Sequence, residues 1–155
     1  MSNLPIEIER KWLLSALPPR VQSLTPATLL QGYLPGEVLV ERIRTVIDAG
    51  TVRWIRTVKL GRGMSRVEVE EEASPELGQA LYALTEGKRV AKVRYTVPQG
   101  GLHWEIDDFT DRDLVLAELE LPSEDTAVDL PEWLAPYVVR EVTGDADFTN
   151  WKLAR

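Results

Sequence analysis

The sequence predicts a mainly β (α+β) domain, in which an antiparallel sheet of about eight strands closes as a barrel or a strongly curved sandwich. Three observations support this fold class. Alternating apolar and polar residues, which are typical of strands with one covered face, recur along most of the chain. Turn signals rich in proline and glycine separate these segments, and the chain has no internal repeat. With 155 residues, 44% of them hydrophobic, we expect a single domain over residues 1–155.

The predicted strands follow one another with short connections. In chain order they span residues 6–14, 29–35, 38–48, 52–60, 65–73, 89–97, 102–109 and 114–121. Prolines punctuate the connection between the first two strands, at residues 17–20 and 24–27. The loop Ala49-Gly50-Thr51 has the length of a hairpin connection, and Gly61-Arg62-Gly63 turns the chain into the fifth strand.

Three helices are predicted between and after these strands. Ser74-Pro75-Glu76 begins the first, because serine caps free amides and proline fits the first helical turn; Gly87 ends it. The apolar residues of this helix keep helical spacing, at Leu77, Ala80, Leu81 and Leu84. Pro131-Glu132-Trp133 is expected to open a second short helix, and residues 150–154 form a third.

Composition excludes several classes of protein. The sequence has no cysteine, no basic-then-apolar leader and no apolar run of about eighteen residues, so we expect a cytoplasmic protein without disulfides or a membrane span. Its net charge of −7 argues against a general nucleic-acid or anionic-membrane binder, whose affinity comes from a positive surface field. The sequence carries no indication of the oligomeric state.

Charged or polar pairs at positions i and i+2 are the main feature of the predicted strands. They are Glu7, Glu9 and Lys11; Arg42 and Arg44; Thr57 and Lys59; Glu68 and Glu70; Lys92 and Arg94; Glu105 and Asp107; and Glu118 and Glu120. The solvent-facing side of an ordinary antiparallel sheet also carries charges. Most of these pairs, however, have one sign, and like charges this close repel unless something between them needs both.

The alternate residues form an apolar set for the opposite sheet face: Ile8, Ile43, Val58, Val93, Trp104, Ile106, Ala117, Leu119 and Leu121. If the sheet closes with this face outward under the helices, the charged face lines a polar tunnel. Acidic clusters suit hard divalent cations, and arginine and lysine suit phosphate. An interior that holds both is expected to bind a metal polyphosphate.

The opening strand carries a known signature. Glu7-x-Glu9-x-Lys11 matches the ExExK pattern of the CYTH superfamily, the triphosphate tunnel metalloenzymes. The resemblance continues in order through residues 31–34, 42–44, 57–59, 65–70, 86–95, 105–109, 116–121 and 150–154. The chain most resembles small single-domain bacterial members of this superfamily. The resemblance implies an eight-stranded antiparallel β-barrel, the triphosphate tunnel, with a few covering helices.

The activity implied by the resemblance is hydrolysis of inorganic triphosphate to pyrophosphate and phosphate, dependent on Mg²⁺ or Mn²⁺. The substrate would be a small molecule, triphosphate or a nucleoside or thiamine triphosphate. Three alternatives stay open: a class IV-type adenylate cyclase, a thiamine or nucleoside triphosphatase, and a barrel that binds polyphosphate without turnover.

The resemblance also implies roles for individual residues. Metal would be held by Glu7, Glu9, Asp107, Glu118 and Glu120. Substrate would be bound by Lys11, Arg42, Arg44, Lys59, Lys92 and Arg94, with Tyr33 pointing into the tunnel. Catalysis would involve Glu7, Glu9, Lys11, Lys59, Lys92 and Glu120. Glu68 and Glu70 match family positions either as ligands or as internal counterions. One departure is Asp147, which stands where many relatives carry a basic residue and makes the expected tunnel mouth more acidic.

Overall fold

The structure, a computed structural model, describes residues 3–155. Within that range the strands are β1 (Ile6–Leu14), β2 (Ala27–Tyr33), β3 (Val40–Asp48), β4 (Thr51–Leu60), β5 (Ser65–Ala73), β6 (Arg89–Gln99), β7 (Leu102–Phe109), β8 (Val115–Glu120) and β9 (Val138–Glu141). The α-helices are α1 (Pro19–Gln22), α2 (Pro75–Ala83) and α3 (Asn150–Leu153). Short 3₁₀ turns span Ala135–Tyr137 and Ala146–Phe148. None of the helices in this described range is long and apolar enough to cross a membrane.

Eight of the strands close into an antiparallel barrel. They pair in the order β5-β4-β3-β2-β6-β7-β8-β1, and the first half of β1 then pairs with β5. In this closing contact Ile6 lies opposite Val67, and Ile8 lies opposite Ser65. Closure leaves few free strand edges, which favours the barrel over an open curved sandwich. The predicted barrel is therefore confirmed.

The short strand β9 extends the sheet at the end of β1. There Trp12 lies opposite Glu141 and Leu13 opposite Arg140. Strand β9 was not predicted from the sequence. The predicted helix opened by Pro131-Glu132-Trp133 was wrong, since that segment is a turn leading into the 3₁₀ turn at Ala135–Tyr137. Pro136 has no N–H and cannot continue an α-helix, so the chain straightens into β9.

Helix α2 begins as predicted but buries a different face. The Ser74 hydroxyl accepts a hydrogen bond from Leu77 N at 3.2 Å. Leu77 and Leu84 have the spacing of a buried face, yet they are 43% and 66% exposed. The helix meets the barrel instead through Gly78, which is buried against the Trp54 indole.

The outer face of the barrel carries the main hydrophobic core. Ile106, Ala117 and Leu119 are buried there, and Val21 of α1 and Leu134 cover them. These are residues that the alternation predicted to face outward, so the charged residues between them face the interior.

A second apolar cluster fills one end of the barrel. Val90 and Phe109 stand two residues from Lys92 and Asp107, so they share the inner face. Ala154 packs against them, with Leu153 and Phe148 alongside. The C-terminal segment therefore packs into this end of the barrel.

Replacing Gly78 by alanine is expected to lower the melting temperature by about 2–4 °C, for a net loss of about 1 kcal/mol in the free energy of unfolding. Alanine would improve helix propensity by about 1 kcal/mol. Its Cβ, however, would lie 2.4 Å from Trp54 Cδ2, and overpacking of this kind costs about 1–3 kcal/mol. The exposed neighbour Gln79→Ala is the control and should leave the melting temperature unchanged or slightly raised. A melting temperature of Gly78→Ala at or above wild type would show that the Trp54 ring moves aside freely.

Candidate active site

A cavity of about 920 Å³ occupies the interior of the barrel. Its wall contains most of the predicted site residues: Glu7, Glu9, Lys11, Tyr33, Arg42, Arg44, Lys59, Arg94, Glu118 and Glu120. The lining also includes Arg66, Glu68, Glu70 and Glu105, and residues drawn from the segments 36–40, 60–63 and 142–152. Strand alternation thus brings side chains from distant parts of the sequence into one charged chamber.

The two signs of charge occupy different parts of this wall. Arginines from β3 and β6 form a group that we call the basic wall, which comprises Arg42, Arg44 and Arg94. Carboxylates from β1, β5 and β8 form the acidic wall, which comprises Glu7, Glu9, Glu68, Glu118 and Glu120. The order of strands produces this separation, because β8, β1 and β5 are neighbours around the barrel.

Arg44 is the cation of the basic wall that is best prepared for an anion. Its Nε donates to the Gln31 side-chain oxygen at 2.9 Å, and among residues 3–155 it forms no ion pair with a carboxylate. Burial and the neighbouring charges of Arg42 and Arg94 lower the pKa of Arg44 to about 9. The guanidinium is still charged at neutral pH, so a polyanion in the cavity would relieve this repulsion.

Arg42 and Arg94 already have carboxylate counterions. Arg42 donates to Thr57 Oγ1 at 2.9 Å and to Glu70 Oε1 at 3.3 Å, while its buried Nε has no partner among the described residues. Arg94 holds Asp107 with two hydrogen bonds, from Nε to Oδ1 at 2.7 Å and from Nη2 to Oδ2 at 2.8 Å, and also pairs with Glu118. Such bidentate contacts fix the plane of the guanidinium.

Lys92 and Asp107 are on the inner face of the barrel but do not line the cavity. Both side chains are 0% exposed, and Lys92 Nζ donates to Asp107 Oδ2 at 2.6 Å. Burial opposes ionisation of Asp107, but Arg94 and Lys92 outweigh it and hold its pKa below the usual value. In this arrangement the Asp107 carboxylate serves the arginine and the lysine as a counterion. The metal-binding role expected for Asp107 and the substrate contact expected for Lys92 stay predictions.

The register of β1 and β8 builds the acidic wall. Glu9 lies opposite Glu120, and Lys11 lies opposite Glu118. Burial, followed by the nearby Glu118 carboxylate, raises the pKa of Glu9 to about 8. Glu118 itself is buried, but Lys11, Lys92 and Arg94 outweigh the burial and hold its pKa well below the usual range. Cations therefore compensate the charge of Glu9 less than that of Glu118.

Two lysines stand among these acids rather than on the basic wall. Lys59 Nζ lies 3.0 Å from both Glu7 Oε2 and Glu68 Oε2. Lys11 Nζ lies 3.3 Å from Glu118 Oε1 and donates to the Phe148 carbonyl at 3.2 Å. A phosphate chain held by the arginines would therefore meet lysines on the acidic side as well.

Glu68 and Glu70 both contact cations. Glu70 pairs with Arg42 and accepts from Thr57 Oγ1 at 3.2 Å, and Glu68 pairs with Lys59. These contacts favour the counterion role for Glu70, which lies on the basic side. Glu68 belongs to the acidic wall, and its position there suits either a metal ligand or a counterion.

The donor set of the acidic wall fits a hard divalent cation. Burial and neighbouring carboxylates raise the pKa of Glu7 and of Glu120 as well as that of Glu9, so added positive charge would stabilise the ionised wall. Among residues 3–155, no three acidic, histidine or cysteine side chains are grouped as a metal site in this arrangement. Glu7, Glu9, Glu118 and Glu120 are the residues that would hold such an ion.

The structure adds cavity residues that the sequence analysis did not assign to the site. Arg66 lines the chamber on the acidic side, with Nη2 3.8 Å from Glu7 Oε2, and Glu105 lies beside Arg94 in an ion pair. Strand alternation signalled both, since Arg66 shares its face with Glu68, and Glu105 shares its face with Asp107. Asn150 also lines the chamber. It belongs to the segment 150–154 that the resemblance covers, but no role was predicted for it; its contact with Lys92 is seen only in the structure.

Asp147 lines the cavity, in the part of the lining that residues 142–152 contribute. Its backbone N–H donates to Asp145 Oδ1 at 3.1 Å. Glu37 and Arg62 line the same cavity, so both signs of charge are present beyond the barrel strands.

Known proteins resemble this chain over nearly its whole length, although no protein-family model matches it. An inorganic triphosphatase of Acetivibrio thermocellus is 35% identical over 96% of this chain and 93% of its own length. An inorganic triphosphatase of Nitrosomonas europaea is 36% identical over 96% of both chains. The crystal structure of the inorganic triphosphatase NE1496 superimposes with a TM-score of 0.64 at 33% identity, covering 96% of this chain and 93% of that one. With its closed barrel and two oppositely charged walls, this chain belongs to the inorganic triphosphatases of the CYTH superfamily, the triphosphate tunnel metalloenzymes.

Proposed function

We propose that this protein hydrolyses inorganic triphosphate to pyrophosphate and phosphate inside the barrel, with Mg²⁺ or Mn²⁺ bound on the acidic wall. The observation that carries this proposal is Arg44, a buried guanidinium beside Arg42 and Arg94 that forms no carboxylate pair among the described residues. Three arginines grouped around a partly open chamber suit a compact polyanion. The names of the relatives support triphosphate as that polyanion.

The basic wall would orient the substrate. Arg42, Arg44 and Arg94 would contact the non-bridging oxygens and neutralise the charge that spreads over the transferred phosphoryl group. Lys11 and Lys59, which stand among the acids, would contact the bridging oxygen or the departing pyrophosphate. Positioning and charge stabilisation are most of what phosphoryl transfer requires of a protein.

The acidic wall would hold the cation and guide the water. A divalent cation bound there supplies positive charge to the phosphate oxygens and lowers the pKa of water. Glu120 faces the cavity, and burial with nearby Glu7 and Glu68 raises its pKa, so it is our candidate acceptor for the proton of the attacking water. The water oxygen forms the new bond to the terminal phosphorus as the bond to the bridging oxygen breaks, and pyrophosphate leaves with that electron pair.

The proposal also covers the class of substrate and the cellular location. A cavity of about 920 Å³ suits a small molecule, and the net charge of −7 does not favour nucleic acid. We propose a cytoplasmic location, supported by the absence of cysteine from the sequence.

Phosphate release tests the proposal against its alternatives. Purified protein is incubated with triphosphate, ATP or thiamine triphosphate, each with Mg²⁺, with Mn²⁺ or with a chelator. We expect the fastest release from triphosphate and none with the chelator. Faster release from ATP or thiamine triphosphate would assign the barrel to those substrates, and conversion of ATP to a cyclic nucleotide would make it a cyclase. Tight triphosphate binding without release would make it a binding protein.

Arg44→Ala is expected to lower kcat/KM for triphosphate by about a hundredfold or more. Among residues 3–155 the Arg44 guanidinium has one side-chain hydrogen bond, to Gln31, and no ion pair, so the fold should persist and the repulsion from Arg42 and Arg94 should fall. Arg20→Ala is the matched control, because Arg20 is exposed on α1 and lies outside the cavity lining. Equal losses of kcat/KM in the two folded variants would contradict the assignment of the basic wall.

A further inference from the structure

A chain of hydrogen bonds connects the C-terminal helix to the basic wall. The Asn150 side-chain oxygen accepts from Lys92 Nζ at 3.1 Å, and the same Nζ donates to Asp107 Oδ2 at 2.6 Å. Asp107 in turn receives both hydrogen bonds from Arg94, which lines the cavity. Lys92 and Asp107, which are outside the cavity lining, thus connect Asn150 to the Arg94 guanidinium, and both Asn150 and Arg94 line the cavity.

Among the described residues, the Lys92 ammonium donates hydrogen bonds to two side chains, those of Asp107 and Asn150. Its side chain is 0% exposed, and beyond Asp107 and Asn150 its ammonium faces the Phe109 ring, 5.3 Å from the ring centroid. An ammonium group carries three donors and is costly to bury unpaired. Without the Asn150 oxygen, Lys92 would have to turn toward another acceptor, and Asp107 would lose part of what holds its orientation.

The C-terminal segment also accepts a hydrogen bond from Lys11, the lysine of the ExExK pattern. The Phe148 carbonyl accepts from Lys11 Nζ at 3.2 Å, two residues before Asn150. Phe148 and Leu153 pack into the apolar cluster that fills this end of the barrel. Asn150 is therefore carried on a segment that is anchored on both sides of it.

We propose that Asn150 is a positioning residue for triphosphate hydrolysis: its side-chain oxygen holds Lys92, which holds Asp107 in the orientation that presents Arg94 to the substrate. This inference rests on the proposed function. In this proposal Asn150 acts through Lys92 and Asp107 and does not contact the reacting atoms. Its loss should therefore weaken substrate binding more than the chemical step, because Arg94 would still be present but poorly oriented.

Three variants separate positioning from simple support of the fold. Asn150→Leu has similar size without the acceptor, Asn150→Asp keeps an acceptor oxygen, and Asn150→Ala removes the acceptor without adding apolar volume should the leucine variant not fold. Arg112→Gln is the control, because Arg112 donates to the Leu153 carbonyl and so anchors α3 without touching Lys92.

The first readout is steady-state hydrolysis of triphosphate with Mg²⁺. Asn150→Leu or Asn150→Ala should raise KM about tenfold with a smaller change in kcat, which corresponds to about 1.4 kcal/mol of binding. Asn150→Asp should restore KM to within about threefold of wild type. Arg112→Gln should lower the melting temperature and leave KM unchanged. An unchanged KM in Asn150→Leu, no rescue by aspartate, or an equal rise of KM in Arg112→Gln overturns the proposal.

The second readout does not depend on turnover. In the NMR spectrum of the substrate-free, metal-free protein, the Arg94 Nε–H signal, assigned with an Arg94→Lys variant, should exchange slowly with solvent because it donates to Asp107. Asn150→Leu should accelerate that exchange and Asn150→Asp should not. Equal exchange in all variants overturns the positioning role. A wild-type protein that released no phosphate from triphosphate would refute the proposed function, while this readout would still decide whether Asn150 orients Arg94.

Discussion

Glu9→Gln is expected to abolish most triphosphate hydrolysis and, at the same time, to stabilise the metal-free protein above pH 8. Glutamine has nearly the same size but cannot carry the negative charge that a divalent cation on the acidic wall requires. We expect kcat to fall by about a hundredfold or more. The fold should persist, since the Glu9 side chain lines the cavity and makes no ion pair among residues 3–155.

The gain in stability follows from the direction of the pKa shift. Burial and Glu118 raise the pKa of Glu9 to about 8 in the folded protein, from its ordinary value of 4.5. Between these two pH values the folded state binds more protons than the unfolded state, so the free energy of unfolding falls as pH rises through this window. Above it the ionised Glu9 destabilises the metal-free fold, and glutamine removes that contribution.

Melting temperatures at pH 5 and pH 9, in chelator, measure this effect. At pH 5 wild type and Glu9→Gln should be similar, whereas at pH 9 the variant should melt about 2–8 °C higher, for a gain of about 1–2 kcal/mol after allowance for partial solvent exposure. Glu86→Gln, an exposed substitution of the same kind, is the control and should show no such difference. A variant that melts below wild type at pH 9, or one that keeps full metal-dependent activity, would be incompatible with the acidic wall as described.

Triphosphate is expected to raise the melting temperature of the protein by about 5–10 °C when present at about a hundred times its dissociation constant. That concentration adds about 2.7 kcal/mol to the free energy of unfolding, and a domain of this size gains about 2–4 °C per kcal/mol. The physical source is the basic wall, where Arg44 is buried beside Arg42 and Arg94 without a carboxylate of its own among the described residues. An enclosed polyanion relieves that repulsion.

Sulfate at equal ionic strength is the comparison for this scan. It carries less charge and cannot span the arginines of two strands, so its shift should be much smaller. Ca²⁺ in place of Mg²⁺, or the Glu9→Gln variant, limits hydrolysis during heating. Arg44→Ala should lose most of the triphosphate shift. Equal shifts with triphosphate and sulfate, in the presence of metal, would mean that the cavity has no preference for a phosphate chain.

Local periodicity determined the strands and the direction in which their side chains face. Alternation along β1 put Glu7, Glu9 and Lys11 on one face and Ile8 on the other, and the structure has these three charged residues inside. The same reasoning predicted the outward core at Ile106 and Leu119. These features depend on neighbours two residues apart, so the sequence alone contains them.

Only the tertiary structure decided which charges meet. Lys59, which was predicted to bind phosphate, lines the cavity between Glu7 and Glu68. Lys92, which was also predicted to bind phosphate, is outside the cavity lining and contacts Asp107 and Asn150. Glu7 and Lys59 are 52 residues apart, and Lys92 and Asn150 are 58 apart. Such contacts depend on barrel closure, strand register and the docking of the C-terminal segment. None of these leaves a periodic signal, because each is the outcome of packing between segments that are remote in the chain.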